Sequence, residues 1–107
     1  MKENDELEAI FYVDHSAIHG KGLYAKVSIA PGEYMGTYDG PVTQDDGAYV
    51  LWVEEDNGEW RGCDGKNILR YLNHSEEPFA EFDGYDLYAL KAIEPGVEIT
   101  IHYGDEY

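Results

Sequence analysis

Apolar and polar residues alternate along this chain in short runs, and turn residues separate one run from the next. Runs of this kind that are rich in Val, Ile and Tyr predict β-strands. They cover residues 8–13, 22–27, 33–38, 48–53, 85–92 and 97–102. A helix is indicated only around residues 67–72, which make little more than one turn. The pattern therefore predicts a mostly β fold with little helix.

Two segments of the chain look alike, residues 29–33 and residues 93–98. Each contains Ile followed, two residues on, by Pro-Gly, a pair that favours a tight turn. The match is only about six residues long, and the flanks are not read as part of a longer repeat. We interpret the two segments as similar turns that lead into strands.

The length of 107 residues corresponds to one domain. The polar residues 1–7 are a candidate for a frayed N-terminus, and residues 8–107 are predicted to form the domain. Charge is the unusual feature, because 23 acidic residues against 7 basic ones give a formal net charge of -16. This charge repels nucleic-acid phosphates and anionic lipids and attracts basic partners, although acidity can also serve solubility alone.

Cysteine and histidine usage argues against a metal site. Cys63 is the single cysteine, so an internal disulfide and a multi-cysteine zinc site are excluded. Of the four histidines only His15 and His19 have the H-x-x-x-H spacing, in a segment where no helix is predicted to bring both to one face, and no metal is expected. No apolar run has the length of a membrane helix, and the acidic N-terminus does not fit a signal peptide. We expect a soluble protein of the cytoplasm, or of a host nucleus if it is viral or an effector.

Four motifs follow one another along the chain. They are His19-Gly20-Lys21-Gly22-Leu23-Tyr24-Ala25, Tyr38-Asp39-Gly40, Arg70-Tyr71-Leu72-Asn73-His74-Ser75 and Ile99-Thr100-Ile101-His102-Tyr103-Gly104. In this order the set resembles the SET-domain protein lysine methyltransferases, in a minimal form like the small viral and bacterial members. The resemblance implies small twisted sheets around a C-terminal segment that is threaded through a preceding loop.

The resemblance also implies a cofactor, S-adenosylmethionine, which leaves as S-adenosylhomocysteine. The main chain of the glycine loop would hold its methionine part, Asn73 its amine, and the backbone of His74 its adenine. The implied cofactor residues are Lys21, Gly22, Leu23, Arg70, Asn73, His74 and Tyr103. The residues by themselves also fit plainer roles: a glycine turn before a strand, and an Asn-His pair that hydrogen-bonds the backbone.

The same resemblance makes Tyr103 the catalytic residue and places Tyr38 along the channel for the substrate lysine. Tyr107 is a further candidate for that channel, since Gly104 permits a turn that folds it back over the mouth. Glu98 is expected either to partner the loop around Arg70 or to be a solvated acid, and His102 to be structural. Glu76 and Phe79 stand where the family usually has cysteine and asparagine, which removes a zinc-linked role from this loop.

Methyl transfer to lysine needs a neutral amine, and neutralising a lysine of ordinary pKa at pH 7.4 costs about 4 kcal/mol. A water-excluding channel walled by tyrosines suits that task. The expected partner is a basic protein or tail, such as a histone tail, without nucleic acid or membrane. Glu106 and Tyr107, the second subunit of a homodimer, or the substrate would close the site. The alternatives are a non-catalytic acidic module that binds basic tails, and an acidic β-rich protein that mimics nucleic acid.

Overall fold

The computed structural model describes residues 4–47 and 49–102, with side chains described from residue 6 onward. Within these ranges the chain forms a short α-helix, a 3₁₀ helix and several short strands. The helices are α1 (Asn4–Ile10) and the 3₁₀ helix Ile68–Tyr71. The strands are β1 (Phe11–His15), β2 (Lys21–Ala25), β3 (Tyr34–Thr37), β4 (Val42–Thr43), β5 (Val50–Glu54), β6 (Trp60–Asp64), β7 (Asn73–His74), β8 (Ala80–Asp83), β9 (Asp86–Ala89) and β10 (Glu98–Ile101).

The strands are arranged in three small sheets, in the orders β1-β2-β10-β7, β3-β9-β8 and β4-β6-β5. All pairings are antiparallel except that of β10 with β7, which is parallel. A single apolar core collects side chains from β1, β2, β3, β9, β10 and the 3₁₀ helix. The mostly β prediction is thereby confirmed. Residues 103–107, which belong to the predicted threaded segment, lie outside the described residues.

The first element differs from the prediction. Residues 4–10 form a helix, and the strand expected at 8–13 begins only at Phe11. Leu7, in the segment considered for fraying, is completely buried in the core. It packs against Gly36, where an added Cβ would come within 2.6 Å of its Cδ2 atom. Glu, Leu and Ala are strong helix formers, and docking of Leu7 supplies the stability that seven residues lack in isolation.

Truncation of the docked leucine tests the role of α1. We expect Leu7→Ala to lower the free energy of unfolding by about 2–5 kcal/mol, because a fully buried side chain leaves a cavity. Chemical denaturation followed by circular dichroism measures the change. The neighbouring Glu8 is exposed, so Glu8→Ala is the matched control and should change stability by less than about 0.5 kcal/mol. Equal stability of Leu7→Ala and Glu8→Ala would contradict the docking.

The remaining predicted strands coincide with β2, β3, β5, β9 and β10 to within a few residues. Strands β4, β6, β7 and β8 were not predicted. Strand β6 pairs with β5 along its whole length, from Glu54 opposite Trp60 to Val50 opposite Asp64. Its residues include glycine and aspartate, which are depleted in strands, so its pairing with β5 decides its conformation.

The two similar Pro-Gly segments belong to a longer repeat than the sequence analysis allowed. Residues 23–33 and 87–97 share Leu, Tyr, Ala, Ile, Pro and Gly at equal spacing. In both, the glycine has a positive φ, +79° at Gly32 and +87° at Gly96. The sequence analysis treated the residues that flank the two turns as unmatched. On the N-terminal side of each turn that interpretation was wrong.

The two copies contact each other in an equivalent way. Ile29 and Ile93 exchange main-chain hydrogen bonds of 2.8 and 2.9 Å. Gly32 N donates to Ala89 O and Gly96 N to Ala25 O, so that each turn rests on the strand end of the other copy. The strand after each turn also pairs with the opposite copy, β3 with β9 and β10 with β2. These pairings bring the glycine loop and β10 to the same place.

Candidate functional site

The side-chain amide of Asn73 is the centre of a dense polar cluster. Asn73 lies on β7, is 8% exposed, and its Nδ2 atom lies within hydrogen-bonding distance of four oxygens. These are the Ser16 hydroxyl at 3.1 Å, the main-chain oxygens of His19 and Lys21 at 3.1 Å each, and a Glu98 carboxylate oxygen at 2.9 Å. An amide nitrogen carries two hydrogens, so the cluster holds more acceptors than Asn73 can satisfy.

Glu98 is the charged member of the polar cluster around Asn73. Its carboxylate accepts hydrogen bonds from Asn73 and from the Ser16 hydroxyl, which is 2.8 Å from each carboxylate oxygen. It is therefore not a solvated acid, and its partner in the motif around Arg70 is Asn73 rather than Arg70 itself. Gly22 leaves the space for it, since a Cβ at Gly22 would come within 2.3 Å of Glu98 Oε2. Ser16 was missed, because a serine that lies 82 residues from Glu98 gives no signal in the sequence.

The glycine-loop residues divide between the cluster and the core. The exposed Lys21 contributes its main-chain oxygen to the cluster, and Gly22 packs against Glu98. Leu23 is completely buried in the hydrophobic core, between Val13 of β1 and Ile99 of β10. The structure thus brings Lys21, Gly22 and Asn73 together, and turns the Leu23 side chain away from them.

The Arg70 side chain forms its hydrogen bonds within its own loop rather than with the cluster around Asn73. Its Nη1 atom donates to the main-chain oxygens of Lys66 and Asn67, at 2.6 and 3.0 Å, and its Nη2 atom donates to the Tyr71 hydroxyl at 2.9 Å. The guanidinium lies over the Tyr71 ring, 4.5 Å from its centroid. These contacts tie Arg70 to its own loop and to the wall of a neighbouring cleft.

His74 and His102 form a pair at the surface. Parallel pairing of β7 with β10 sets His74 opposite Ile101, and the two imidazole rings meet edge to face at 4.7 Å. Glu76 bridges them, with one carboxylate oxygen 3.2 Å from His74 Nε2 and the other 3.1 Å from His102 Nε2. The hydrogen bond with His74, and to a smaller extent the one with His102, lowers the pKa of the Glu76 carboxyl group.

Tyr38 follows β3 and lines a cleft of about 980 Å³. It is 8% exposed, and its hydroxyl donates to the main-chain oxygen of Tyr49. Its ring lies against Gly65, where a Cβ would come within 2.3 Å of the Tyr38 hydroxyl. The cleft walls are largely aromatic and aliphatic: Tyr38, Tyr49, Val50, Leu51, Trp52, Trp60, Leu69, Leu72, Pro78, Ala80, Phe82, Leu90 and Ile101. Asp46, Arg70, Glu81 and His102 add polar groups.

Two predicted site residues, Tyr103 and Tyr107, lie outside the described residues. The described chain reaches His102, and both Ile101 and His102 line the cleft beside Tyr38. The assignments of Tyr103 to catalysis and of Tyr107 to the channel stay predictions.

The surroundings of Cys63 do not favour a nucleophilic thiolate. It is 6% exposed, and its thiol contacts the main-chain oxygen of Gly40. Burial raises the pKa of the Cys63 thiol and Asp39 raises it further, against the opposite effect of Arg61. Because the thiolate is the reactive form, these surroundings favour a structural cysteine.

Comparison with known proteins identifies the family. The SET domain family model matches residues 20–104, and the chain belongs to the SET-domain family. Among solved structures, the methyltransferase domain of human PR domain-containing protein 2 is 23% identical, with a TM-score of 0.72 over 91% of this chain and 79% of that one. A Plasmodium falciparum protein named for a proposed histone methyltransferase activity is 19% identical, with a TM-score of 0.70 over 90% of this chain and 94% of that one. No curated protein sequence matches the chain.

Within residues 4–47 and 49–102, no helix combines the length and the apolar character needed to cross a bilayer.

Proposed function

We propose that this SET domain is an S-adenosylmethionine-dependent methyltransferase that acts on lysine side chains of a basic protein. The observation that carries the proposal is the excess of hydrogen-bond acceptors around Asn73, beside an aromatic cleft in a domain of this family.

The acceptor cluster has the chemistry that an amino-acid ammonium group needs. Two main-chain oxygens, a hydroxyl and a carboxylate lie within 2.9 to 3.1 Å of one nitrogen position. An ammonium carries three N–H donors and a positive charge, and hydrogen bonds to a charged partner are about twice as strong as neutral ones. Rearrangement of Asn73 on binding would release acceptors to such a group, with the Glu98 carboxylate compensating its charge. The amine of S-adenosylmethionine fits this description.

The aromatic cleft suits the substrate. A lysine that enters it exchanges water for the rings of residues such as Tyr38, Tyr49 and Trp52, and this desolvation lowers the amine's pKa. The acidic surface, with a net charge of -16, attracts the charged form of the lysine before it enters.

The bound cofactor supplies an electrophilic methyl group on a sulfonium. The protein's part is to hold the reacting amine in line with that group and to keep water away. Tyr38 is fixed for such a role, because its ring packs on Gly65 and its hydroxyl is held by Tyr49. By family resemblance, the Tyr103 hydroxyl would orient the lysine amine.

A transfer assay with labelled S-adenosylmethionine tests the proposal. Basic peptides should accept label on lysine, whereas acidic peptides of equal length and lysine content should not. Calorimetry on the same peptides distinguishes the alternatives. Binding of basic peptides without transfer and without cofactor binding would favour a non-catalytic module and overturn the proposal. Absence of both peptide and cofactor binding would overturn it as well.

The cofactor site can be tested separately through its central amide. We expect Asn73→Ala to weaken S-adenosylmethionine binding roughly tenfold or more, because the amide oxygen of Asn73 would accept a hydrogen bond from the cofactor's ammonium, and a hydrogen bond to a charged group contributes about 1.5–3 kcal/mol. Calorimetry measures the affinity. Asn67 is the matched control, since it is 5% exposed and also donates to a main-chain oxygen, that of Thr37. Asn67→Ala should lose comparable stability and keep cofactor affinity; equal affinities in the two variants would remove Asn73 from the site.

A further inference from the structure

We infer that His74, Glu76 and His102 form a binding site for a divalent transition metal, with zinc the expected ion. The ligand atoms would be Nε2 of each histidine and a carboxylate oxygen of Glu76. This site is distinct from the acceptor cluster around Asn73 and adjoins the aromatic cleft, which His102 also lines. No step of the proposed methyl transfer is assigned to the side chains of these three residues.

The first argument is distance. The three candidate ligand atoms all lie within 4.8 Å of one another. The two nitrogen–oxygen separations are 3.2 and 3.1 Å. Zinc binds imidazole nitrogen at about 2.0–2.1 Å, so that neighbouring ligands of a tetrahedral ion lie about 3.3 Å apart. Each histidine nitrogen thus lies about one tetrahedron edge from a different carboxylate oxygen of Glu76. Side-chain rotations that bring the three ligand atoms from within 4.8 Å to that spacing would admit the ion.

The second argument is that the backbone holds the ligands in place. The parallel pairing of β7 and β10 positions His74 beside the end of β10, where His102 follows. Ser75 N donates to Ile101 O at 2.9 Å, and Glu77 N donates to the Ser75 hydroxyl at 3.1 Å, so both strand ends and the loop with Glu76 are tied together. Part of the ordering cost of metal binding is therefore met by the fold.

The third argument is donor chemistry and access. Two imidazoles and one carboxylate suit zinc, and leave a fourth position for water or another ligand. The side chains are reachable from solvent, with exposures of 33% for His74, 42% for His102 and 82% for Glu76. A net charge of -16 also raises the local concentration of cations.

Sequence spacing did not indicate this site. His74 and His102 are far apart in the chain, and Glu76 was read only as the loss of a cysteine ligand. The strand pairing brings the three together, and Glu76 itself becomes the candidate third ligand.

The test is a calorimetric titration of zinc chloride into tag-free protein that has been treated with a chelator. We expect one ion per chain, and a rise in melting temperature of about 4–8 °C when free zinc is in roughly fivefold excess over its Kd. His102→Phe and Glu76→Gln should each weaken binding at least tenfold and abolish most of the thermal shift. Cobalt(II) should give the visible absorption of a four-coordinate ion in the wild type and lose it in both variants.

Matched controls separate this site from diffuse attraction of cations to an acidic surface. His15→Phe removes an exposed histidine on β1, and Glu77→Gln removes the exposed acid that follows Glu76 in the chain. Both variants should bind zinc like the wild type. Unchanged zinc binding in His102→Phe or Glu76→Gln, or absence of binding in the wild type, would overturn the inference. Glu76 is largely exposed, so Glu76→Gln should fold normally. All readouts are independent of methyl transfer and of S-adenosylmethionine.

Discussion

Methyl transfer should fall about hundredfold or more in Tyr103→Phe, while S-adenosylmethionine still binds. The expected reason is that the hydroxyl orients the lysine amine and stabilises charge at the reacting centre, and loss of one preorganised hydrogen-bond donor in an active site costs about 10²–10³ in rate. The aromatic ring remains, so the cleft wall is kept. Label transfer under saturating peptide measures kcat, and calorimetry measures cofactor affinity.

The control for this variant is Tyr12→Phe. Tyr12 lies on β1, where its ring stacks on Tyr24 with centroids 5.3 Å apart, and it does not line the cleft. Removing its hydroxyl should leave both transfer and cofactor binding unchanged. Near-normal turnover in Tyr103→Phe would show that the catalytic role implied by the family resemblance does not apply to this chain.

Gly40→Ala should have the largest effect on stability, a loss of about 3 kcal/mol or more. A Cβ at Gly40 would come within 1.8 Å of the main-chain oxygen of Asp64 and 3.2 Å of the Cα atom of Gly65. Backbone cannot rotate away as a side chain can, and overpacking commonly costs about 1–3 kcal/mol even where side chains give way. The crossing of these two segments also supports the Tyr38 ring, so peptide affinity should fall with stability.

Thermal and chemical denaturation measure the Gly40→Ala effect, with Gly47→Ala as the control. Among the residues that the structure describes, a Cβ at Gly47 would meet only Val50 Cγ2, at an ordinary 3.5 Å. The same substitution there should therefore be nearly neutral. Similar stabilities for the two variants would show that the segments around Gly40 and Asp64 adjust more readily than their close approach indicates.

The fold was predictable where local pattern and tertiary pairing agree. Strands β2, β3, β5, β9 and β10 lie within runs in which apolar and polar residues alternate, and the sequence predicted each of them. The sequence did not predict strand β6 or helix α1. The conformation of β6 depends on its pairing with β5, and that of α1 depends on the burial of Leu7. Such dependence on distant partners leaves no periodic signal in the chain.

The candidate site was predictable only through motifs. Asn73, Gly22 and Lys21 were identified by family resemblance, and the structure brings them together. Of the two partners of Glu98, Asn73 belongs to the motif around Arg70 that the resemblance indicated. Ser16 was missed, since contacts between residues 82 positions apart are set by the order of strands in the sheet. The three-residue cluster of His74, Glu76 and His102 was missed for the same reason.

The crossed pairing of the two repeat copies has a consequence for how the molecule folds. Neither copy contains the partner of its own strands, because β2 must find β10 and β9 must find β3. The arrangement is that of a domain-swapped dimer whose two subunits lie in one chain. The hairpins β1–β2 and β8–β9 pair locally, but the long chain between the two copies must close before β2 pairs with β10 or β9 with β3. Chains dominated by such non-local contacts fold in about milliseconds to seconds rather than microseconds. Until then both pairs of strand edges are open, so another molecule's copy of the repeat can take the place of the chain's own, and dilution during refolding should favour the monomer.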